Sequence, residues 1–552
     1  MKKIFLFICL SFLSCNIGLF AQGNEIDAFT LSGTDLGGTA RSMSMGGAFG
    51  SLGGDISVIS NNPAGLGIYR SSDISGTLDL SMAKTSTDWG SVKTKGSKTN
   101  FSPSNFGFEL YFPTGGSVRN WNLGFSYNRV KNFNRRYRME SFSQPYSIAS
   151  YIAMRATNAF ADGDGYAGIA ENAIIHEKGY NPYYNPELSG QWLPILGYNS
   201  GMIGNMQGDH DGVYRNAFGD KNGNGVWDVS PGKSLLSVVE SGSMDEYNIG
   251  FGTNISNVLF LGASVSVTDI NYKYASGYEE LHDSESGNRN SDHLYLKNWL
   301  STEGTATSFN LGAIMNLQMF RLGVAYNSPR WYDMTDYYDA DAGTSISGYD
   351  PPNMESSTPE SEYSEYKFRT PGKWIFSGSA ILGQFALVSV DYEIMNYDKM
   401  RFFGEDDYGY KIEYNANYDI REDYTWSHTF KIGTEVKINP RFAVRAGYIM
   451  QTSPMRENLA ENNHEVMPAG TNPHFTVTSK PTNYYTAGIG YRFTPNFYMD
   501  LACVHRYNRS DAYAFSNTYY KDEEHDIYPL PSSPAKLVTK TTRMVLTLGY
   551  KF

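Results

Sequence analysis

The feature that most constrains the fold is an alternation of apolar and polar residues that recurs along most of the chain. It is clearest in the last nine residues, where Met544, Leu546, Leu548, Tyr550 and Phe552 alternate with Val545, Thr547, Gly549 and Lys551. Side chains on a β-strand point alternately to its two faces, so one face of this segment is apolar and the other is small or polar. Such a strand is typical of the wall of a bacterial outer-membrane β-barrel, which faces lipid outside and a polar lumen inside.

The same alternation predicts about fourteen strands after residue 72. Short connections at roughly 113–119, 256–257, 317–319, 383, 439–441 and 494–496 alternate with long ones at 84–103, 131–245, 275–304, 328–371, 395–426, 452–482 and 508–539. Outer-membrane barrels have short periplasmic turns and long external loops. A soluble β-sandwich, the alternative, has no reason to place every long connection at one end. The sequence therefore predicts an all-β fold, an antiparallel transmembrane barrel over residues 72–552 with both termini in the periplasm.

The composition agrees with a barrel and excludes other classes. The mean hydropathy of the 552 residues is −0.42, and no stretch after the first 20 residues approaches the apolar length that a spanning helix needs. A weak hydropathy signal is expected of barrel strands, because only every second residue faces lipid. The net charge of −12 argues against a nucleic-acid partner.

The first 21 residues are predicted to be a signal peptide. Lys2 and Lys3 precede the apolar stretch 4–20, and Ala21 is a plausible cleavage position. A lipoprotein anchored through Cys15 competes with this interpretation, although Phe12-Leu-Ser-Cys15 is a poor lipobox. After cleavage only Cys503 remains, so we expect no internal disulfide. Export and the barrel pattern together predict a location in the bacterial outer membrane.

Residues 22–71 lack any strand period. Residues 33–50 are rich in Gly, Ser, Thr and Ala, and residues 55–66 contain Asn62-Pro63-Ala64-Gly65. Glycines make long helices costly, and the residue before a proline is pushed out of the α region, so we expect compact turns and short helices. A barrel of fourteen strands leaves a lumen unless something fills it. We therefore predict that this segment lies inside the barrel as a hatch (plug), with Asn62, Pro63 and Ala64 against the wall.

The small-residue stretch and the motif Asn62-Pro63-Ala64-Gly65, placed ahead of about fourteen strands, resemble the outer-membrane long-chain fatty-acid transporter family (FadL and TodX relatives). The resemblance implies a hatch that carries an Asn-Pro-Ala motif and closes a fourteen-stranded barrel. It also implies uptake of hydrophobic molecules, which external loops capture, the lumen binds near the hatch, and the wall releases sideways into the membrane.

Candidate ligand-binding residues lie in a loop and on the lumen face. Ile148, Tyr151 and Ile152 come near one face of a predicted helix in the long loop 131–245, where they could form an apolar groove, or they could simply pack on their neighbours. On the lumen face, Arg321, Arg445 and Arg492 could hold an anionic headgroup. The alternative is that these cations pair with lumen carboxylates and with the hatch.

A calcium site is a further candidate. Asp220, Asn222, Asn224 and Asp228 reproduce the first ligand positions of a calcium-binding loop, with Gly225 at the turn, but Pro231 stands where the bidentate glutamate is expected. We therefore predict no cofactor apart from a structural calcium ion in this external loop.

No catalytic motif is present, so we predict that the chain is not an enzyme. Two other functions remain open. The chain could be an outer-membrane component of a protein secretion or assembly system, with a secretion-system protein as partner. It could also be a haem receptor that uses loop histidines such as His282, His293 and His464. The expected partners of a transporter are outer-membrane lipid and a hydrophobic small molecule.

Overall fold

The computed structural model describes residues 23–159, 168–205, 212–219, 229–283, 291–360, 362–404, 414–461, 465–521 and 527–552. Fourteen of its strands close into one antiparallel barrel, because the first strand pairs with the last. In chain order they are β1 (Asp73–Trp89), β2 (Val92–Pro113), β3 (Val118–Asn132), β4 (Lys233–Ile255), β5 (Leu259–His282), β6 (Asp292–Leu317), β7 (Phe320–Asn327), β8 (Lys373–Leu382), β9 (Ala386–Asn396), β10 (Trp426–Asn439), β11 (Phe442–Gln451), β12 (Thr482–Arg492), β13 (Phe497–Tyr513) and β14 (Ala535–Lys551). The predicted fold class is confirmed.

The six predicted short connections all lie at one end of the barrel, here called the short-turn end. At the opposite end, the long-loop end, wall strands extend into several of the predicted loops. Residues 275–282 and 292–304 of the predicted loop 275–304, for example, belong to β5 and β6. Residues 84–103 are not a loop, because β1 and β2 run on and meet in a two-residue turn at Gly90 and Ser91. Both residues have a positive φ, 55° and 72°, as the twist of a tight hairpin requires. The side chains of the extended parts of β1 and β2 are mostly polar. The apolar alternation in the sequence therefore does not show that these strands continue.

The two faces of the wall follow the alternation in the sequence. The outward side chains of the short-turn half are apolar and exposed, as Leu78, Leu80 and Met82 show on β1. Aromatic pairs flank this band at both of its edges. Trp121 stacks on Phe112 at 4.0 Å between ring centroids near the short-turn end, and Tyr326 lies 4.8 Å from Trp374 nearer the long-loop end. An apolar band between two aromatic girdles is the outer surface of a membrane barrel.

Shorter elements build a cap over the long-loop end. Its strands are Arg135–Ser141, Ile203–Asn205, Tyr214–Asn216, Trp331–Ser345, Asn353–Ser357, Glu362–Arg369, Arg401–Phe403, Phe475–Val477, Thr518–Lys521 and Ile527–Leu530. Its helices are Ile148–Thr157, Glu171–Ile174, Pro182–Tyr184, Pro186–Leu188, Trp192–Asn199, Tyr397–Lys399, Ala416–Asp423 and Glu457–Ala460. Their buried apolar side chains form one large cluster with the upper parts of the wall strands.

The described part of the N-terminal segment, residues 23–71, contains two α-helices, α1 (Glu25–Ser32) and α2 (Ala40–Ser44), and two 3₁₀ helices, Ile56–Ser60 and Pro63–Ile68. Its first residues do not lie at the short-turn end, where both termini were expected. Tyr424 Oη in the cap donates to Glu25 O at 3.1 Å, and Phe29 lies 5.5 Å from Tyr397. The apolar face of α1, which includes Ile26 and Leu31, belongs to the cluster of the cap, and this burial holds it at the long-loop end.

No helix among the described residues is long and apolar enough to cross a membrane.

Candidate functional site

The motif Asn62-Pro63-Ala64-Gly65 forms the start of a 3₁₀ helix in the lumen. Asn62 caps it, because its Oδ1 accepts a hydrogen bond from Ala64 N at 3.1 Å, while Nδ2 donates to Gly50 O at 2.6 Å. Proline suits the first helical position, because its φ is already helical and its missing N–H would have no partner there. Asn62 Nδ2 also lies 3.4 Å from Ala313 O of β6, and Ala64 packs with Phe260 and Ile314. The motif therefore contacts the wall at β5 and β6.

The wall carries glycines at many points where the N-terminal segment approaches it closely. A Cβ atom on Gly312 would overlap Asn62 Oδ1, and one on Gly262 would overlap the backbone of Pro63. Wall glycines that meet the segment in the same way are Gly107, Gly124, Gly250, Gly252, Gly323, Gly433, Gly447 and Gly488. Since glycine has no side chain, backbone and side-chain atoms of the segment pack directly on the backbone of the wall.

Polar contacts fix the same segment on several sides of the lumen. Wall residues that bond to it are Asn120 on β3, Ser264 on β5, Asn327 on β7, Ser379 on β8, Asp391 on β9, Glu435 on β10, Thr486 on β12 and Thr547 on β14. The segment thus fills the short-turn half of the lumen and contacts strands around most of its circumference.

The three arginines proposed to bind an anionic headgroup have different surroundings. Arg445 is buried and paired on both sides, with Glu435 at 2.6 Å and Asp500 at 2.5 Å, and Glu435 also pairs with Arg41 of the segment at 3.1 Å. Arg321 Nη1 donates to Leu52 O at 2.7 Å. Only Arg492 is exposed, in a cavity of about 660 Å³ at the short-turn end that Arg445 also lines. The contacts of Arg445 and Arg321 follow the alternative of pairing with the wall and the hatch.

The lumen between the segment and the cap is polar and narrow. A cavity of about 120 Å³ is lined by residues 34–37 and 60–61 of the segment and by wall residues of β3, β4 and β8–β12. Its cations are paired, Arg330 with Glu246 at 2.7 Å and Lys431 with Glu393 at 2.6 Å. A second cavity of about 180 Å³ adjoins it nearer the cap. Each has room for a few waters rather than for an extended acyl chain.

The hydrogen-bonded wall is interrupted between β2 and β3. Their ladder ends at Asn105 and Asn128, although β2 remains paired with β1 as far as Val92. Each strand carries one extra residue at this level, Ser104 on β2 and Val130 on β3, which bends it away from its neighbour. Asn105 Nδ2 donates to Asn128 Oδ1 at 2.5 Å and so closes the last rung.

This gap lies within the apolar band and adjoins the lumen cavity. Asn105 pairs with Thr77, and outward Leu78, Leu80 and Met82 still follow on β1 beyond that level. Inside the wall, Asn128 and Val130 line the 120 Å³ cavity. Asp35 N donates to Val130 O at 2.8 Å, so the N-terminal segment is bonded to one edge of the gap.

The cap carries an aromatic groove of about 880 Å³, which the sequence analysis did not identify. Its rings are Tyr366, Phe402, Phe403, Tyr414 and Tyr418; its cations are Lys367, Arg401 and Arg421; and its carboxylates are Asp333 and Glu365. Burial, and then the like charges of Arg421 and Arg369, lower the pKa of the Arg401 guanidinium from its ordinary value. The residues come from four separate elements, and the only sequence signal for them was a local excess of aromatic residues.

The groove touches the beginning of the described chain. A Cβ atom on Gly23 would lie 3.2 Å from Phe402 Cζ at the floor of the groove. From there α1 leads to residues 34–37, which line the lumen cavity. The N-terminal segment therefore connects the groove, the lumen cavity and the edge of the gap.

Ile148, Tyr151 and Ile152 lie in the predicted helix, Ile148–Thr157. All ten residues of this helix are buried, and these three belong to the apolar cluster of the cap. They are far along the chain from the groove and do not line it. Arg155 in the same helix pairs with Glu465 at 3.3 Å. These contacts agree with the simpler alternative, a helix that packs on its neighbours.

The calcium candidates Asp220, Asn222, Asn224 and Asp228 lie outside the described residues. Within the described ranges, no group of three His, Cys, Asp or Glu side chains is arranged to hold a metal ion. Of the haem candidates, His464 also lies outside those ranges. His282 is buried beside Glu280 at 3.0 Å and stacks on Phe218 at 4.3 Å, and the strand period turns His293 to the other face of the β5–β6 sheet.

Known proteins share this architecture. A family model described as outer membrane protein transport protein (OMPP1/FadL/TodX) matches residues 244–526. A FadL homologue from Pseudomonas aeruginosa superimposes with a TM-score of 0.50 at 11% identity, over 94% of this chain and 99% of that chain. The toluene transporter TodX of Pseudomonas putida gives a TM-score of 0.48 at 13% identity, over 93% of this chain and 98% of its own. The structural likeness concerns the fold alone at these identities, and no curated protein sequence matches the chain.

Proposed function

Because the chain belongs to the outer membrane protein transport family (OMPP1/FadL/TodX), we propose that it takes up long-chain fatty acids, or closely similar amphipathic molecules, and releases them sideways into the membrane. Members of this family are transport channels for hydrophobic compounds, so the chain is an outer-membrane transporter and not an enzyme. The proposal concerns the substrate and the route, which begins at the groove in the cap and passes beside the N-terminal segment.

The observation that carries the route is the interrupted ladder between β2 and β3. A barrel wall in lipid normally pairs all its backbone N–H and C=O groups, because an unpaired group in hydrocarbon costs several kcal/mol. Here the pairing stops beside Asn105 and Asn128, within the apolar band. Unpaired backbone at membrane depth is tolerated where it is buried in protein or lines a water-filled cavity. An exit at this point would let an apolar chain leave the lumen without crossing the packed short-turn half.

The N-terminal segment supplies the barrier and the control point in this proposal. Residues 33–66 pack on wall glycines and close the direct path towards the short-turn end. The bond from Asp35 N to Val130 O ties the segment to the edge of the gap. A shift of residues 34–37 would enlarge the narrow cavity, which needs more than 120 Å³ to pass an acyl chain, and would open it towards the gap.

The groove indicates the substrate class. Its five aromatic rings suit an apolar chain, and Arg401 and Arg421 suit a carboxylate, because arginine forms strong charge-assisted hydrogen bonds with that group. Two of the structural relatives are described as toluene transporters. Toluene has no charge for these arginines to bind, so the groove favours a fatty acid over a neutral aromatic hydrocarbon.

The substrate is tested by uptake of labelled oleate into cells that lack their own fatty-acid transporter. Arg421→Gln should lower uptake at limiting oleate by about ten-fold, because it removes a charge-assisted hydrogen bond, while leaving toluene entry unchanged. Lys297→Gln is the matched control, since Lys297 is an exposed cation outside the groove. Equal oleate uptake by the two variants would contradict capture of a carboxylate at the groove.

The exit is tested by removing Ser104, the extra residue that bends β2. A regular β2 should stay beside β3 for longer, so oleate uptake should fall while binding of oleate to the purified protein persists. The matched control removes Ile438, the extra residue between β10 and β11 at the short-turn end. If uptake survives the loss of Ser104 as well as it survives the loss of Ile438, the gap is not the exit.

The alternatives give different results in the same preparation. Fatty acid extracted from mildly purified protein supports the transporter. A haem absorption band in place of lipid would support the haem receptor, and a stable complex with an exported protein would support the secretion component.

A further inference from the structure

A cluster of cations faces outward on four neighbouring wall strands at the long-loop end. The cluster, here called the basic patch, consists of Lys84 on β1, Lys93 and Lys95 on β2, Arg509 on β13, and Lys536 and Lys540 on β14. All six side chains are exposed. The only carboxylates on the outward face of the same strand ends are Asp88 and Asp511. The basic patch thus stands out on a chain whose net charge is −12.

The patch begins where the apolar band ends. On β1, Lys84 follows Leu78, Leu80 and Met82 on the outward face. The ten residues from Ile74 to Lys84 cover about 33 Å along the strand, or about 25 Å across the membrane at the usual tilt of barrel strands. That distance equals the height of the apolar band of outer-membrane barrels, which places the patch beside the headgroups of the outer leaflet.

The cations of the patch largely lack partners of opposite charge. Lys84 and Lys540 are direct partners across the β1–β14 ladder, and like charges in that position repel each other. Lys93 pairs with Asp88 at 3.7 Å, but among the described residues no carboxylate lies within 4.0 Å of Lys84, Lys95, Arg509 or Lys540. An arrangement of this kind is stabilised by an anion from outside the chain.

Tyr507 orders the centre of the patch. Arg509 Nε donates to Tyr507 Oη at 2.6 Å, and the Arg509 guanidinium carbon lies 5.5 Å from the ring centroid. Lys540 Nζ lies 5.7 Å from the same centroid. Tyrosine is enriched at membrane interfaces, so this ring marks the boundary and holds two cations beside it.

The balance of outward charges differs on another part of the circumference. At the corresponding level on β4, β5 and β6, the outward face carries Asp245, Asp269 and Glu303. Arg129 at this level is paired with Asp245 at 2.9 Å, and the exposed Lys273 and Lys297 lie further along β5 and β6. Six exposed cations with two carboxylates on four neighbouring strands, against three carboxylates at one level of β4, β5 and β6, favour an anionic ligand at the basic patch.

We propose that the basic patch binds the phosphate-bearing headgroup of an outer-leaflet glycolipid, such as the phosphorylated sugar of lipopolysaccharide. Charged clusters at the membrane surface recognise anionic headgroups, and several unpaired cations spaced along four strands match several phosphates on one lipid. The proposal rests on the outer-membrane location and not on the transported substrate.

The test measures lipopolysaccharide bound to the full-length barrel by native mass spectrometry after purification in mild detergent. Each lost cation should weaken binding about five-fold, so Lys84→Gln, Arg509→Gln and Lys540→Gln together should weaken it about a hundred-fold. The control combines Lys437→Gln and Arg441→Gln, which removes exposed cations at the short-turn end and should leave lipid binding unchanged. Heat-modifiable gel migration checks that both proteins are folded.

Equal retention of lipid by the triple variant and by the control would overturn the proposal. So would displacement of the lipid by millimolar inorganic phosphate, because that result would describe a simple anion site rather than a headgroup site. Loss confined to the triple variant, with resistance to free phosphate, supports it.

Discussion

Wall glycines such as Gly312 define how closely the N-terminal segment can approach the barrel. Gly312→Ala would place a methyl group against Asn62 Oδ1 and 3.2 Å from Pro63 Cδ. Overpacking of this kind costs about 1–3 kcal/mol, so we expect the motif to shift and the barrel to conduct more ions in planar bilayers. Gly378→Ala is the control, because a Cβ atom on Gly378 meets nothing within 4 Å. Equal conductance of the two variants would show that contact at Gly312 does not hold the segment.

His474 in the cap provides a prediction on pH. Burial lowers the pKa of His474 from 6.5 to about 4, and its Nδ1 donates to Ala514 O at 2.5 Å. Below pH 6.5 the opened loop binds a proton that the folded loop does not, so the local stability should fall by up to about 3 kcal/mol as the pH falls towards 4. Above pH 6.5 it should be constant.

Hydrogen exchange of the amides in Phe475–Val477, corrected for the intrinsic rate, measures this loss. His474→Asn keeps a donor near Ala514 O and has no titrating group, so its protection should not depend on pH over this range. Equal pH dependence in both proteins would assign the effect to another group.

Among the elements, the N-terminal segment can be removed to test whether it plugs the barrel. Deletion of residues 33–66 should leave a folded, heat-resistant barrel, because the ladder from β1 to β14 closes without it. The deletion also removes the segment that bonds to Glu435 and Asp391 across the lumen, so we expect a large conductance. A deleted protein that conducts no more than the intact one would show that the segment is not a plug.

At the scale of the whole molecule, the alternation of short and long connections fixes the orientation in the membrane. In a Cys503→Ala background, which removes the only free thiol of the described chain, Asn353→Cys should react with an impermeant maleimide on intact cells. Asn439→Cys, at a short turn, should react only after the outer membrane is opened. The opposite labelling pattern would invert the barrel and place both the groove and the basic patch on the periplasmic side.

The sequence by itself determined the barrel, because strand alternation and turn residues are local properties. The faces of strands such as β8 and β14 and the six short turns follow directly from period-two patterns and from residues such as Asn439-Pro440. The sequence did not predict the polar hairpin at 84–103, because strands that extend beyond the membrane do not need an apolar face.

Only the tertiary structure decided where the chemistry lies. The groove brings together residues 333–421 from separate elements, and the gap depends on two single-residue bulges, Ser104 and Val130, which have no signature in composition. The three arginines looked alike in the sequence, but their surroundings in the structure differ. Arg445 is in a buried ion pair, Arg321 donates to a backbone carbonyl, and Arg492 is exposed. Long-range pairing is what a local pattern cannot encode, because each partner is chosen by the closed barrel and not by its neighbours in sequence.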